Sequence, residues 1–413
     1  MEEWKEYKLE ETTDFVAGFA FKSKHFGDYK DKVVKIKDIQ PPIVSLESAE
    51  GVDLTEYDKV KLNKYIVKQN DFVLAMTGAT IGKIGRYMNE RPAYINQRVL
   101  KFIPKKEFDF DFIYYSLLSS NFQGYINNHI DSDSAQPNIS ANTIGKYTFY
   151  APCRETQHQI AAILKSLDDK IELNRQINDN LEQQAQALFR SWFVDFEPFK
   201  DGEFVDSELG MIPKGWKVVE LETICDVVGG GTPSKSNPEY YCKNGISWIT
   251  PKDLSISKAK FTSKGEIDIT ETGYSNSSAK LMPSGSVLFS SRAPIGYVSI
   301  ATKELCTNQG FKSLVPKIAG TCFLYLFLKE NTISIEAQAT GSTFKEASGA
   351  LIKSQKVIIP DDLLILNKFE ESTKPIFQIQ RNLEDENSNL QGVRDSLLPR
   401  LMSGELKINE IDC

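Results

Sequence analysis

Apolar residues recur along this chain at two different periods, and each period appears twice. Lys32-Val33-Val34-Lys35-Ile36, Phe72-Val73-Leu74-Ala75-Met76 and Ser286-Val287-Leu288-Phe289-Ser290 are short β-branched or aromatic runs, which predict strands. Phe112 to Leu118 and Cys322 to Leu328 predict short helices at corresponding places. Two β-like runs then end in proline, Tyr147 to Pro152 and Val357 to Pro360. A long segment of helical period follows each. In the first, Ile160, Leu167, Asn174, Leu181 and Leu188 lie seven apart, with Leu164, Ile171, Asn178, Ala185 and Trp192 between them. In the second, Phe369, Ile376, Leu383, Leu390 and Leu397 lie seven apart, with Ile379 and Val393 between some of them. This is the spacing of a coiled-coil seam. The stripes can bury against each other, with Asn174 as a polar register-setter, or each can pack on its own globular domain. Pro375 predicts a bend or a start in the second helix. A helix of about 30 residues would be roughly 45 Å long.

The whole pattern is duplicated. Trp4, Leu9, Asp14, Val16 and Gly18 match Trp216, Leu221, Asp226, Val228 and Gly230 at one constant offset. Ile36-Lys37-Asp38-Ile39 has a looser counterpart in Pro251-Lys252-Asp253-Leu254. Thr77-Gly78-Ala79-Thr80-Ile81-Gly82 resembles Ser291-Arg292-Ala293-Pro294-Ile295-Gly296, and Asn96-Gln97 matches Asn308-Gln309. Matches in one order at near-constant offset mean two copies of a domain-plus-helix unit, because the period is far too long for a solenoid.

Charge sharpens this picture. The net charge of −7 argues against nucleic acid only on average. From Lys30 to Lys106 fifteen basic residues face nine acidic ones, and from Lys243 to Lys303 eight face four. The helical stretches Glu155–Glu197 and Asp361–Asn387 reverse the sign, at four against eight and three against seven. A DNA surface needs local positive potential, which this alternation supplies, although ordinary surface variation would also produce it. The six cysteines form no C-x-x-C pair and only three histidines exist, which excludes a zinc site and favours buried free thiols. No basic n-region with an apolar stretch opens the chain and no run is long enough to span a bilayer, so a cytoplasmic protein without a membrane is expected.

Candidate chemistry fails on inspection. Gly78 to Lys83 has three residues between its glycines, not four, and Ile84 follows the lysine, so it is no phosphate loop. In Asn237-Pro238-Glu239-Tyr240 the glutamate breaks an adenine-methyltransferase motif and leaves a turn. Gly229-Gly230-Gly231-Thr232-Pro233 reads as a loop. His25, His129 and His158 have no nucleophile-elbow partner, and no spacing singles out a carboxylate pair. No catalytic residue and no metal ligand is assigned.

The residues resemble a known family at this point. Ser207-Glu208-Leu209-Gly210-Met211-Ile212-Pro213-Lys214-Gly215-Trp216 is similar to the linker opening the second recognition domain of type I restriction-modification specificity subunits. Gly230-Gly231-Thr232-Pro233, Asn237-Pro238-Glu239-Tyr240-Tyr241 and Ile246-Ser247-Trp248-Ile249-Thr250 resemble the start of such a domain. Gln157 to Leu164 with Leu167-Asp168-Asp169-Lys170-Ile171 resembles the central helical region, and Leu398 to Leu406 the distal end. The resemblance implies an α+β fold with two mixed, β-rich target recognition domains, two long antiparallel coiled-coil helices and a pseudo-two-fold internal repeat. The implied boundaries are 1–153 and 201–360 for the recognition domains, and 154–200 and 361–413 for the central and distal helical regions. It implies a non-catalytic subunit that reads a bipartite, asymmetric site in double-stranded DNA, one half-site per domain. Two methylation subunits would dock on it, and restriction subunits would join through the complex. It implies no cofactor in this chain, with S-adenosylmethionine, ATP and Mg belonging to the partners. Phe19-Ala20-Phe21 stands where the second copy has Gly231-Thr232-Pro233, so the half-sites should differ.

Side-chain chemistry narrows the candidate contacts, since Asn and Gln suit adenine edges and Arg and Lys suit guanine. They are Thr77, Lys83, Arg86, Gln97 and Arg98 in the first domain, and Ser291, Arg292, Tyr297 and Gln309 in the second. Polar loops add Ser134, Gln136, Ser342, Thr343 and Lys345, while Lys35, Lys37, Lys252 and Lys258 are expected on phosphates. Two rival classes remain: a self-contained adenine methyltransferase or nuclease, and a coiled-coil interaction protein that never meets DNA.

Overall fold

The computed structural model describes residues 4–131, 137–341 and 345–407. The chain divides into two compact units, Met1–Ile171 with Asn389–Cys413, and Glu172–Ser388. The first long helix, Arg154–Phe193, begins in the first unit and ends in the second; the other, Leu363–Met402, does the reverse.

Within the first unit, the strand Lys5–Lys8 pairs antiparallel with Thr148–Ala151. The main sheet runs in the order Thr13–Ala17, Val99–Pro104, Phe72–Ala75, Ile84–Arg86, followed by two short edge strands. Within the second unit, Trp216–Glu220 pairs antiparallel with Lys356–Pro360. Its main sheet has the same order: Cys225–Gly229, Lys312–Pro316, Val287–Ser291, Ile295–Ala301, then one edge strand. The duplication in sequence is thus a duplication of topology. Strand Phe72–Ala75 is buried along its whole length, as an unbroken apolar run between layers should be. The run at Lys32 is strand only to Val34, because Asp38 turns Ile36–Asp38 into a capped helical turn.

The helix after each sheet differs between the units. Phe110–Leu118 and Ser120–Asn128 are separated at Ser119, whose hydroxyl caps the second of them. Thr321–Gln338 is one continuous helix, longer than the apolar run Cys322–Leu328 suggested. That run is buried on every side and so shows no amphipathic period of its own.

Both long helices have 40 residues, about 60 Å at 1.5 Å per residue, which corrects the expectation of about 30. Pro375 neither starts nor ends the second helix, which begins at Leu363. Pro375 is exposed, where a proline inside a helix does not bury the carbonyl it deprives of a donor behind its own side chain's packing. Each helix end is absorbed into its own unit's core: Ile160 and Leu164 pack with Leu401 in the first, and Phe189 and Phe193 with Phe369 and Phe377 in the second. The helix ends are therefore part of each unit's globular core as well as of the helix pair.

Of the seam positions, Ile160, Leu164, Ile171, Asn174 and Phe369 are buried, and Leu167, Leu181, Leu188, Ile376, Leu383, Leu390 and Leu397 are half-buried. Ile379 and Val393 are exposed, which removes them from the seam. Their place is taken by Thr373, Gln380 and Asn387, all buried. Asn174 donates to Glu386 at 2.7 Å and to Asn387 at 2.9 Å, and Gln380 donates to the Asn178 carbonyl at 3.2 Å. The helix pair in the second unit is therefore held partly by amides, which an apolar period cannot reveal.

No described helix is long and apolar enough to cross a membrane. Cys225, Cys306 and Cys322 are buried, but Cys153 is exposed and Cys242 half-buried, a partial correction of the expected buried thiols. Burial pushes the Cys225 and Cys306 thiols up to about 12.

Candidate nucleic-acid interface

Both units build the same loop framework from backbone bonds. The N–H of Phe19 donates to the Ile95 carbonyl, and that of Gly231 to the Thr307 carbonyl, each at 2.9 Å. Gly18 lies against the carbonyls of Ile95 and Asn96, and Gly230 against those of Thr307 and Asn308, so closely that a Cβ at either would collide with backbone. That contact explains why glycine stands at the matching position in each copy. The capped turns match as well: Asp38 accepts from the Lys35 N–H at 2.8 Å, and Asp253 from the Thr250 N–H at 2.7 Å.

In the second unit this framework surrounds a cleft of about 640 Å³. One wall is the loop after Gly230, fixed by Trp248 Nε1 donating to the Gly231 carbonyl at 2.9 Å and the Tyr241 hydroxyl donating to the Pro233 carbonyl at 2.6 Å. Lys252, Arg292 and Gln309 meet at this cleft, with Lys235, Thr232 and Asn308. Lys252 pairs with Glu266 at 2.6 Å, and Arg292 lies 3.7 Å from Glu346. Three cations against Asp253 and Glu266 leave the lining net positive. Thr232, Lys235 and Asn308 are not among the candidates that side-chain chemistry singled out; the loop composition around Thr232 and the repeated Asn-Gln pair at Asn308 are the sequence signals that point to this cleft.

The other candidates of this unit lie elsewhere or face inward. Ser291 is fully buried, with its hydroxyl on the Gly310 carbonyl at 3.1 Å, and is withdrawn as a reader. Tyr297 is half-buried and Lys258 exposed, and neither lines the cleft. Lys345 is exposed, while Ser342 and Thr343 lie outside the described residues.

In the first unit, Gln97, Arg98, Lys83 and Lys37 are exposed, and Lys35 is half-buried on Glu50 with its ammonium 3.7 Å from the Phe26 ring centre. Backbone bonds bring Arg98 to Met76 at 2.9 Å and Lys83 to Ala75 at 3.0 Å, so these side chains surround one end of the strand Phe72–Ala75. Arg86 is buried, donates to Asp111 at 2.6 Å and lies 4.1 Å over the Tyr114 ring. It is a core ion pair and is corrected from the base-contacting set. Thr77 is buried at the same strand end and, like Ser291, is withdrawn as a base contact. Ser134 and Gln136 lie outside the described residues. Where the second unit has its cleft wall, Phe19 and Phe21 pack 5.0 Å apart and on Tyr57 at 5.7 and 5.5 Å.

Hydrogen bonding also corrects the sequence match in the turn. Met76 N–H donates to Arg98 and its carbonyl accepts from Ile139; Ser291 N–H donates to Gly310 and its carbonyl accepts from Ala347. The counterpart of Ser291 is therefore Met76, and that of Arg292 is Thr77, one place from the sequence match. The left-handed backbone at Gly78 (φ 74°) and Ala293 (φ 50°) agrees with this register.

Among the described residues no cluster of His, Cys, Asp or Glu could hold a metal ion. Two duplicated units with polar loop ends, one of them lining a cationic cleft, define a recognition protein. Residues 1–183 and 213–389 match the type I restriction modification DNA specificity domain, and the chain belongs to that family as a non-catalytic specificity subunit. The HindI specificity subunit of Haemophilus influenzae is 29% identical over 357 residues, 72% of this chain and 77% of that protein. The MjaIX specificity subunit of Methanocaldococcus jannaschii is 41% identical over 161 residues, 38% of this chain and 37% of that protein. A solved type I restriction-modification S subunit from M. genitalium shares the fold, with a TM-score of 0.58 at 14% identity over 97% of this chain and 96% of that one.

Proposed function

We propose that each unit reads one half of a bipartite, asymmetric duplex site, and that the two long helices set the number of unread base pairs between the halves. Recognition domains at 1–153 and 201–360 act with helical regions at 154–200 and 361–413. Two methylation subunits dock on the helical regions, restriction subunits join through the complex, and S-adenosylmethionine, ATP and Mg act in those partners in the cytoplasm. The observation that carries this reading is the cleft where Lys252, Arg292 and Gln309 converge on a framework repeated in the first unit. Lys37 and Lys252 sit at matching capped turns and suit phosphates; Gln97, Arg98, Arg292 and Gln309 suit base edges. The aromatic packing of Phe19 and Phe21 against the open wall at Gly231–Pro233 supports unlike half-sites.

The test is duplex binding by the complex with its methylation subunits. Arg292→Ala should relax recognition in one half-site only, while Lys252→Ala weakens all duplexes equally and lowers the salt dependence by about one counterion. Equal loss of both half-sites in Arg292→Ala would defeat the two-reader assignment.

A further inference from the structure

Arg292 does not stand alone at the end of its strand. It forms an antiparallel bridge with Glu346, a residue without a role so far, and its Nη1 lies 3.7 Å from the Glu346 carboxylate. The other oxygen of that carboxylate lies 3.4 Å from Lys312 Nζ. Arg292 and Glu346 side chains are 36% and 38% exposed, so both reach solvent, and Arg292 lines the cleft. The same rung exists in the first unit, where Thr77 bridges Asn138. One backbone arrangement thus carries a guanidinium and a carboxylate in one copy, and a hydroxyl and an amide in the other.

We propose that Arg292 and Glu346 together form a subsite for one G·C base pair in the half-site read by the second unit; this rests on Arg292 facing DNA as proposed above. In the major groove guanine offers two acceptors, O6 and N7, and its paired cytosine offers the N4 amino donor beside them. A guanidinium beside a carboxylate is the complement of that row. Glu346 also attracts the guanidinium of Arg292 from 3.7 Å, on the side where the cytosine amino group would lie. Lys312 on the far oxygen offsets the repulsion that a carboxylate would otherwise exert on nearby phosphates. An incidental surface ion pair would show no relation to the repeat. This pair occupies a rung that backbone bonds hold in both units, and only its chemistry differs. The amide of Asn138 has the donor and acceptor that suit adenine, so the first unit reads a different base from the same place.

The experiment selects bound duplexes from a randomised library, using the complex of this chain with its methylation subunits. The wild-type chain should fix a G·C pair at one position of the second unit's half-site. Arg292→Lys and Glu346→Gln should each relax that same position about ten-fold and leave the other half-site unchanged. Arg292→Thr with Glu346→Asn should move the preference there towards A·T. If Arg292→Lys relaxes a position that Glu346→Gln leaves intact, Arg292 reads alone and the joint subsite is wrong. If neither variant alters any position while thermal unfolding is unchanged, Arg292 does not face a base and the reading above fails with it. Loss of all binding with a lowered melting temperature would mark Glu346 as a structural tie, which also overturns the subsite.

Discussion

Lys260 shows what one buried charge does in this molecule. Its ammonium lies 2.7 Å from Glu182 on the first long helix and 2.7 Å from Gln380 on the second, and 3.3 Å over the Phe377 ring. Glu182 also accepts from the Tyr325 hydroxyl at 3.2 Å, and Glu384 accepts the backbone N–H groups of Lys260 and Phe261 at 2.9 and 3.1 Å. Burial alone would raise the Glu182 carboxyl, but Lys260 and the hydrogen bonds from Gln186 and Gln380 outweigh it and hold the pKa below the usual 4.5. The stabilisation from Glu182 is therefore fully present above pH 4.5 and is lost as pH falls through the depressed value. Burial shifts Glu384 in the same cluster the opposite way, so the check is a difference: in urea unfolding Glu182→Gln should lose less stability than the unsubstituted chain as pH falls. At neutral pH Lys260→Ala should cost about 3–5 kcal/mol, because Glu182 is left without its cation. A loss under 1 kcal/mol would show that water replaces the lysine freely. Nothing in the local sequence around Lys260 announced this cluster, whose partners are distant in the chain.

At the scale of elements, the apolar period found both long helices and misjudged their interior. Periodicity reports the side chains that avoid water, so Ile160, Leu164 and Phe369 were legible. It cannot report Thr373, Gln380 and Asn387, whose burial depends on amide and hydroxyl partners supplied by neighbouring elements. The same blindness put Arg86 and Ser291 among surface readers: an arginine and a serine look available until Asp111 and the Gly310 carbonyl are seen beside them. The convergence of Lys252, Arg292 and Gln309 was legible only because the motifs repeat. Lengthening both helices by seven residues, after Ile171 and after Ser388, would extend each by about 10 Å and keep its faces in phase to within ~20°. The gap in the selected duplex should then widen by about three base pairs, at 3.4 Å per pair along a strand. An unchanged gap would mean that something other than helix length measures it.

For the molecule as a whole, the close approach of Gly18 and Gly230 to the carbonyls of Asn96 and Asn308 has a consequence for genetics. Those asparagines immediately precede Gln97 and Gln309, so the glycines act as the seats on which the two loops proposed to meet DNA rest. An alanine at either seat would shove its loop outward, at a cost of about 1–3 kcal/mol for the overpacked contact. A screen for lost restriction should therefore recover Gly230→Ala among apparent contact mutants, although Gly230 packs on the backbone of Thr307 and Asn308 and is not one of the proposed contacts. Calorimetry would tell the classes apart: a displaced seat lowers the melting temperature as recognition fails, whereas a lost contact leaves it where it was.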